Sequence, residues 1–173
     1  MRAESALRHY CPSAALARTA LDLKVSLARC ELAHMIGYEG VDSILRLAAS
    51  CLSIADRERC GDSPRLVLRR TAASPARDGT VGQERHIAFH RDFCRAVVSV
   101  ALSELHQGGH LVFAIDGHVH CPARPVGSAI AHNRTAVHAV SPITSGVRYN
   151  LIAIFGDAFE DQVHDGVALW AQA

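Results

Sequence analysis

The chain lacks any stretch that would cross a membrane by itself. No run of about 18 consecutive apolar residues occurs in it, and its start has none of the apolar core of a signal peptide. We therefore expect a cytoplasmic protein without membrane contact. Residues 1–30 are basic and rich in alanine and serine, so an organellar transit segment is the alternative to a surface helix whose wet face carries the basic residues.

Strong charge and a cysteine framework are also missing. The formal net charge is +1, which indicates neither a nucleic acid nor an anionic membrane as a partner. The six cysteines form no Cys-x-x-Cys pair, and an even count alone does not predict disulfides. With 49% hydrophobic residues, 20% charged residues and no linker, the chain is predicted to form a single domain over residues 1–173 in a reducing compartment.

Histidine is the residue in excess, because eight of the eleven fall between His86 and His138. In His90-Arg91-Asp92 the period of two puts the imidazole and the carboxylate on one side of an extended segment. His138 follows Asp92 by 46 residues in a separate β-rich run, and Arg148 begins another. Two imidazoles and one carboxylate on one face of an iron(II) ion leave three coordination positions open for a co-substrate and O2.

From about Val67 to Phe155 the sequence resembles the iron(II)/2-oxoglutarate-dependent dioxygenase superfamily, most closely its prolyl 4-hydroxylase-like branch. A lone His-x-Asp occurs by chance in many chains. The combination of Gly-Gly-x-Leu with a downstream His-x-Val-x-Pro-x-x-x-Gly-x-Arg is far more specific. The matching segments, in chain order, are 87–92, 97–102, 108–113, 125–129, 138–140 and 146–149.

The resemblance implies a mostly β (α+β) fold, namely a double-stranded β-helix or cupin-like jelly-roll barrel. It implies that His90, Asp92 and His138 bind iron(II) as the catalytic metal. Arg148 would pair with the C5 carboxylate of 2-oxoglutarate, because a guanidinium fork matches a carboxylate bidentately. In this family 2-oxoglutarate and O2 are consumed, succinate and CO2 are released, and a C–H bond is hydroxylated. Ascorbate is a further candidate cofactor.

The substrate is not decided by these residues, because closely similar cores act on many substrates. The style of the motifs favours a peptidyl or protein side chain, as in prolyl hydroxylases, and a small metabolite is the close alternative. Two other classes stay open. One is a non-catalytic barrel that binds a metal or 2-oxoglutarate, and the other is a cupin-like or zinc-dependent hydrolase.

Three departures from the family pattern bear on the site. The strand after His-x-Asp lacks the tyrosine that often assists the arginine, so the second co-substrate contact is left open. Asn150 stands where related oxygenases frequently have a hydroxyl residue, and its amide is a candidate donor to the co-substrate. The segment from Asp92 to Gly108 is short, which predicts a substrate pocket that is open or is completed by another chain.

Apolar spacing predicts helices on both sides of the core. The stripes from Leu16 to Leu27 and from Val41 to Ala55 recur at three and four residues and predict two opening helices. Residues 1–62 are therefore interpreted as helical support for a β core over residues 66–155, and residues 156–173 as a C-terminal helix. Residues 74–82, rich in Pro, Gly, Ser and Asp, predict a loop.

The other histidines of the segment and two cysteines are rival site residues. His118-Val119-His120 is a pair that a zinc hydrolase or cupin would use, but the further ligands of those classes do not follow it, so a turn and strand edge is favoured. His132 is interpreted either as a neighbour of the metal ligands or substrate, or as a solvated side chain. Water-facing positions are expected for His86, His106 and His110, and inert or site-lining thiols for Cys94 and Cys121.

Overall fold

The structure, a computed structural model, covers most of the predicted core. It describes residues 21–60, 64–73 and 86–156. Within these ranges the chain forms two helices, α1 (Arg29–Cys51) and α2 (Ile54–Cys60), and ten strands. The strands are β1 (Asp22–Leu27), β2 (Arg65–Ala72), β3 (Ile87–His90), β4 (Ala96–Ala101), β5 (His106–Gly108), β6 (Leu111–Ile115), β7 (His118–His120), β8 (Ala129–Asn133), β9 (Val137–Val140) and β10 (Ile143–Phe155).

The strands pair antiparallel and form two sheets. The larger sheet has the order β1-β2-β10-β4-β8, and β5 pairs with the start of β10. The smaller sheet has the order β3-β9-β6-β7. The prediction of a mostly β fold is therefore confirmed. A closed barrel is not, because within the described ranges no strand pairing joins the two sheets into one.

One face of the larger sheet carries the hydrophobic core and packs against α1. Successive side chains of a strand point to opposite faces, so alternate residues of the central strands reach this core. Leu68 of β2, Val98 of β4 and Leu151 of β10 are almost completely buried, together with Leu32 of α1. Truncating one of these leucines to alanine would cost about 2 to 5 kcal/mol. This core layer therefore holds one face of the larger sheet against α1.

The opposite face of the larger sheet is polar although it is buried. In the strand register Asn150 lies opposite Ala101, and Val97 lies opposite His132. Since paired residues share a face and alternate residues of one strand do too, one face carries Arg148, Asn150, Ser99 and His132. Each of these four residues is buried. Because buried polar side chains need partners, this is the face on which a binding site is expected.

Strand β1 corrects one predicted helix. The stripe from Leu16 to Leu27 predicted a helix, but Asp22–Leu27 is extended and pairs with β2 over its whole length; residues 1–20 lie outside the described residues. The Asp22 carboxylate accepts hydrogen bonds from Nε and Nη2 of Arg69 at 2.9 and 2.8 Å. Backbone pairing and burial of alternate side chains, Val25 among them, outweigh the weak helical preference of a short segment.

The second apolar stripe, from Val41 to Ala55, lies in helical segments. The backbone of α1 is non-helical at Gly37, with φ 76° and ψ 162°, and becomes helical again before Cys51. Among the described residues, no helix combines the length and apolar character needed to span a membrane. The loop predicted over residues 74–82 lies outside the described residues, as does the C-terminal helix predicted over 156–173 apart from Gly156.

Candidate metal centre and adjoining cavity

Two neighbouring strands of the smaller sheet bring the predicted ligands together. In the register of β3 and β9, His90 lies directly opposite His138. Asp92 follows two residues after His90, just beyond the end of β3. The structure therefore brings three residues close together in space. In the sequence, His90 and His138 are 48 positions apart. We call these three residues the metal cluster.

The ligand atoms of the metal cluster converge. Nε2 of His90 lies 3.4 Å from Oδ1 of Asp92, and Nε2 of His138 lies 3.5 Å from Oδ2 of the same carboxylate. One ligand atom from each of the three residues lies within 4.8 Å of the other two. This spacing suits a single metal ion placed among the three atoms, since metal-ligand bonds to nitrogen and oxygen are about 2.0–2.2 Å long.

Backbone hydrogen bonds orient both imidazoles. Nδ1 of His90 lies 2.9 Å from the carbonyl oxygen of Ala88, and Nδ1 of His138 lies 3.3 Å from that of Ala136. When Nδ1 donates to a carbonyl, the proton is on Nδ1 and Nε2 carries the free lone pair. Burial lowers the pKa of His138 below its usual value, which favours the neutral imidazole. Both Nε2 atoms are thus presented as metal ligands.

His132 is the fourth polar group at the metal cluster, and it comes from the other sheet. It is buried on β8, with Nε2 3.8 Å from Oδ2 of Asp92 and its ring centroid 4.3 Å from that of His138. The edge of its ring also meets Phe113 at a centroid distance of 5.6 Å. Burial, followed by the nearby His138, lowers its pKa. The interpretation of His132 as solvated is therefore wrong, and the strand alternation with Ile130 is the signal that placed it inside.

Arg148 and Asn150 lie side by side on the inner face of β10. With its amide oriented by this network, Asn150 accepts hydrogen bonds from Nη2, Nη1 and Nε of Arg148 at 2.8, 3.0 and 3.1 Å. Burial, followed by the positive charges of Arg124 and Arg69, lowers the pKa of Arg148 to about 9. The guanidinium is still charged at neutral pH. The structure thus gives Asn150 a contact with the arginine, while its predicted contact with a co-substrate stays a prediction.

Gly109 makes room for Arg148. Its φ is 66°, a left-handed conformation that suits glycine. A Cβ atom on Gly109 would lie 2.7 Å from Cγ1 of Ile143 and 3.0 Å from Cδ of Arg148. The Gly-Gly-x-Leu motif therefore has a spatial reason, which is to let the β5–β6 connection pass close to the arginine side chain.

A cavity of about 320 Å³ opens beside Arg148, and we call it the arginine cavity. Its lining includes Arg124, Asn150, His106 and Leu111 but none of the three residues of the metal cluster. The two sites are nevertheless close, because Leu111 and Phe113 are two residues apart on β6 and Phe113 pairs with His138. Two residues of a strand span about 7 Å, so the lining of the arginine cavity reaches about that close, along β6, to the position paired with His138.

Two lining residues were missed or misplaced by the sequence analysis. His106 was expected to face water, but it is half-buried, and its Nδ1 lies 2.9 Å from the carbonyl oxygen of Gly108. Burial is the main cause that lowers the pKa of His106, and Arg148 also contributes. Arg124 was not singled out at all. Only its position between Pro122 and Pro125 marks it in the sequence, and that pattern indicates a constrained segment without indicating what the segment faces.

The remaining candidates lie away from the metal cluster. His118 and His120 occupy β7, the outer strand of the smaller sheet, and both are exposed, as expected for a strand edge. His86 and His110 are exposed too. Cys94 is buried, whereas Cys121 is exposed at the rim of the arginine cavity. Within the described residues, only His90, Asp92 and His138 form a group of three or more potential ligands close enough to hold one metal ion.

Comparison with solved structures identifies the fold. IDO from Bacillus thuringiensis is similar at 12% identity and a TM-score of 0.57, over 90% of this chain and 83% of that one. A prolyl-4-hydroxylase from Pseudomonas putida is similar at 13% identity and a TM-score of 0.52, over 89% of this chain and 87% of that one. These identities are low, so the similarity establishes a shared β architecture.

A further match is partial. An oxidoreductase of the 2OG-Fe(II) oxygenase family from Burkholderia pseudomallei is 18% identical, with a TM-score of 0.43, and the match covers 53% of this chain. This chain spans only 41% of that protein. No protein-family model matches the sequence, and no curated protein matches it either. The activity therefore has to be argued from the residues of the two sites.

Proposed function

We propose that the chain is an iron(II)- and 2-oxoglutarate-dependent dioxygenase with a double-stranded β-helix core, and that it hydroxylates a side chain of a peptide or protein. The observation that carries the proposal is the convergence of His90, Asp92 and His138 within 4.8 Å, beside a cavity lined by the buried residue Arg148. The fold shared with a prolyl-4-hydroxylase supports it.

The donor set fits iron(II). Two neutral imidazole nitrogens and one carboxylate oxygen are the combination used by non-haem iron(II) oxygenases, and three ligands on one side leave open positions. No thiolate lies in the metal cluster, which disfavours a structural zinc site. His90, Asp92 and His138 would hold the metal, and the hydrogen bonds to Ala88 and Ala136 would keep both imidazoles in the ligand orientation.

Arg148 would bind and orient the co-substrate. Its guanidinium is buried and remains charged at neutral pH, and its hydrogen bonds within the described residues go to the uncharged amide of Asn150. A carboxylate in the arginine cavity would supply the missing negative charge through charge-assisted hydrogen bonds. Such a pair would leave the 2-oxo acid end of the co-substrate free to reach the metal cluster past Leu111 and Phe113 of β6.

When bound, iron(II) supplies the redox chemistry that O2 activation requires. The balanced reaction converts one C–H bond, one O2 and one 2-oxoglutarate into one C–OH, one succinate and one CO2. The chain's own residues orient the reactants and limit water. Leu111 and Phe113 supply apolar walls between the two sites, since both are buried on the same side of β6.

The surface around the metal cluster favours a large substrate. His90 is 38% exposed at its side chain, and two aromatic side chains flank the ligand segment, Phe89 at 50% and Phe93 at 74% exposure. Exposed apolar groups beside a site indicate contact with a partner surface. A peptide chain lying across the metal cluster would reach the Phe93 ring, whereas Phe89, next to His90 in β3, points to the opposite face of the strand.

Measuring coupled turnover would test the proposal. Protein loaded with iron(II) is incubated with 2-oxoglutarate, O2 and a peptide library, and both succinate and peptides that gain one oxygen atom are quantified. We expect the two products in equal amounts and neither product with Asp92→Ala. Iron(II) binding without any 2-oxoglutarate-dependent succinate would contradict the proposal and indicate a binding module. Hydroxylation of added metabolites alone would contradict the peptide substrate.

A further inference from the structure

Two arginine residues line the arginine cavity, and no carboxylate of a described residue is bound to either of them. Arg148 reaches it from β10, and Arg124 reaches it from the segment between β7 and β8. Glu104 also lines the cavity, but it is exposed, and within the described residues neither arginine has a carboxylate oxygen within 4.0 Å. Two cations that share one cavity repel each other and cost free energy unless an anion lies between them.

Arg124 is held in place by the backbone of β4. Its Nη2 donates to the carbonyl oxygen of Ser99 at 2.7 Å and lies 3.1 Å from the Ser99 hydroxyl. The segment that carries it is tied to the same strand, because Gly127 N–H donates to Ala101 O at 2.8 Å and Ala101 N–H donates to Ser128 O at 2.9 Å. The guanidinium is therefore positioned before any ligand arrives, which reduces the entropy lost on binding.

The protein leaves much of the hydrogen-bonding capacity of Arg124 unused. A guanidinium carries five N–H donors, and the bonds to Ser99 involve only Nη2. Nε is buried without a hydrogen-bond partner, and Nη1 makes no hydrogen bond to any described residue. Burial lowers the pKa of Arg124 as it does that of Arg148. Arg148 is thus a buried cation and Arg124 a half-buried one, and among the described residues neither has a carboxylate as its counter-charge.

We propose that Arg124 is a second anchor for the distal carboxylate of the co-substrate, so that the arginine cavity selects a dicarboxylate through two guanidinium groups. This inference rests on the function proposed above and adds to it a residue that determines specificity. Arg148, fixed by Asn150, would take one side of the carboxylate, and Nη1 of Arg124 would take the other. Ser99 is small, which leaves the space that Arg124 occupies against β4.

Paired ligands would test the inference directly. 2-Oxoglutarate and 2-oxopentanoate have the same five-carbon 2-oxo acid chain, but the second ends in a methyl group where the first has its distal carboxylate. Calorimetry on anaerobic protein loaded with iron(II) gives a dissociation constant for each, and their ratio measures recognition of that carboxylate alone. A purely structural effect of a substitution would change both constants and leave the ratio unmoved.

We expect Arg124→Met to weaken 2-oxoglutarate binding by about 10-fold or more, the usual loss for a hydrogen bond to a charged group, and to leave 2-oxopentanoate binding unchanged. Arg148→Met should shift the ratio in the same direction. Arg134→Met is the matched control, because Arg134 is an exposed arginine outside the cavity lining. Its ratio should stay within about twofold of the parent.

The outcomes separate the inference from the function on which it rests. An unchanged ratio in Arg124→Met, with a shifted ratio in Arg148→Met, would overturn the second anchor and keep the proposed function. A parent protein that does not prefer 2-oxoglutarate over 2-oxopentanoate would overturn both. If Arg124→Met does not fold, Arg124→Gln decides, since it keeps a polar side chain of similar reach but removes the positive charge. A ratio within about twofold of the parent there would count against the anchor.

Discussion

The metal cluster and the arginine cavity are linked through β6, where Leu111 lines the cavity and Phe113 pairs with His138, yet they differ in how charge is arranged. In the metal cluster the Asp92 carboxylate lies within 3.8 Å of three imidazoles, those of His90, His138 and His132, so donors and acceptors meet inside the protein. In the arginine cavity two guanidinium groups share a space, and no carboxylate oxygen of a described residue lies within 4.0 Å of either. The charges and donor atoms of the metal cluster therefore suit a bound cation, and those of the arginine cavity suit a bound anion.

The residues of the two sites also belong to different sheets. The ligands of the metal cluster are set by the pairing of β3 with β9 in the smaller sheet, whereas Arg148 and Asn150 belong to the larger sheet. His132 reaches the metal cluster from the larger sheet. Substitutions should therefore affect metal binding and co-substrate binding separately, and the predictions below use that separation.

The largest effect is expected for Asp92→Ala. Removing the only carboxylate of the metal cluster should lower iron(II) affinity by more than about 100-fold, since even outer partners of metal ligands contribute 10- to 100-fold. Competition with a metal-chelating dye measures the affinity. Asp116→Asn, in the β6–β7 turn, is the control, because asparagine tolerates the positive φ there. Iron(II) bound as tightly by Asp92→Ala as by the parent would exclude the metal cluster.

Arg148→Ala should weaken the binding of 2-oxoglutarate and leave the binding of iron(II) nearly unchanged. We expect it to raise the apparent KM for 2-oxoglutarate by about 100-fold, because a buried charge-assisted pair is lost. Iron(II) affinity should change by less than about twofold, since the guanidinium lies outside the metal cluster. Steady-state succinate formation at varied 2-oxoglutarate gives the first value, and the chelator competition gives the second. Loss of both properties together would show that the two sites are not separable.

His132→Leu tests the link between the sheets. The imidazole packs against His138 and Phe113, and its Nε2 approaches Asp92. We expect iron(II) affinity to fall about 10-fold, as for other residues that contact a metal ligand without binding the metal themselves. The preference for 2-oxoglutarate over 2-oxopentanoate should stay as in the parent. Unchanged iron(II) affinity in a folded variant would reduce His132 to a packing residue.

Gly109→Ala should lower the free energy of unfolding, because it changes the backbone that lines the arginine cavity. The left-handed φ costs about 1 kcal/mol for a non-glycine residue, and crowding against Ile143 and Arg148 adds about 1–3 kcal/mol. Gly117→Ala is the matched control, because its φ of 77° is similar and its Cβ would meet no atom within 4 Å. Urea unfolding measures both free energies. Equal losses in the two variants would mean that crowding at Gly109 is negligible.

The smallest effect is expected for the double variant His118→Gln and His120→Gln. Both side chains are exposed on the edge strand β7, so iron content per chain, measured by atomic spectroscopy after anaerobic loading, should equal that of the parent. A zinc-hydrolase function that uses this pair as ligands requires the metal to be lost. The same measurement on His138→Ala should give no bound iron.

The sequence predicted the metal cluster better than it predicted the arginine cavity. His-x-Asp and the downstream histidine form a spaced motif, so His90, Asp92 and His138 could be named before their proximity was known. Arg124 could not, because it belongs to no spaced motif and its place against Ser99 depends on how the segment after β7 crosses β4. Its role, like those of the three ligands, stays a prediction until binding is measured.

The same distinction holds for the fold. The β core was predicted from the resemblance of residues 67–155 to a known family, and β-branched residues indicated only single strands such as the one that begins at Arg148. The helix predicted from Leu16 to Leu27 was wrong where β1 lies, because pairing with β2 is a contact between residues 39 to 49 positions apart. Likewise, His106 could not be placed, since its burial depends on β5 pairing with the start of β10.

The pairing of His90 with His138 also has a consequence for unfolding. The two imidazoles meet only when β3 and β9 are hydrogen-bonded, so the unfolded chain has no preformed site and binds the ion weakly. A ligand that prefers the native state shifts the folding equilibrium by mass action, by about 2.7 kcal/mol when its free concentration is 100 times the dissociation constant. The melting temperature of this protein should therefore rise with added iron(II) under anaerobic conditions. A larger supply of metal would then increase the fraction of chains that are folded.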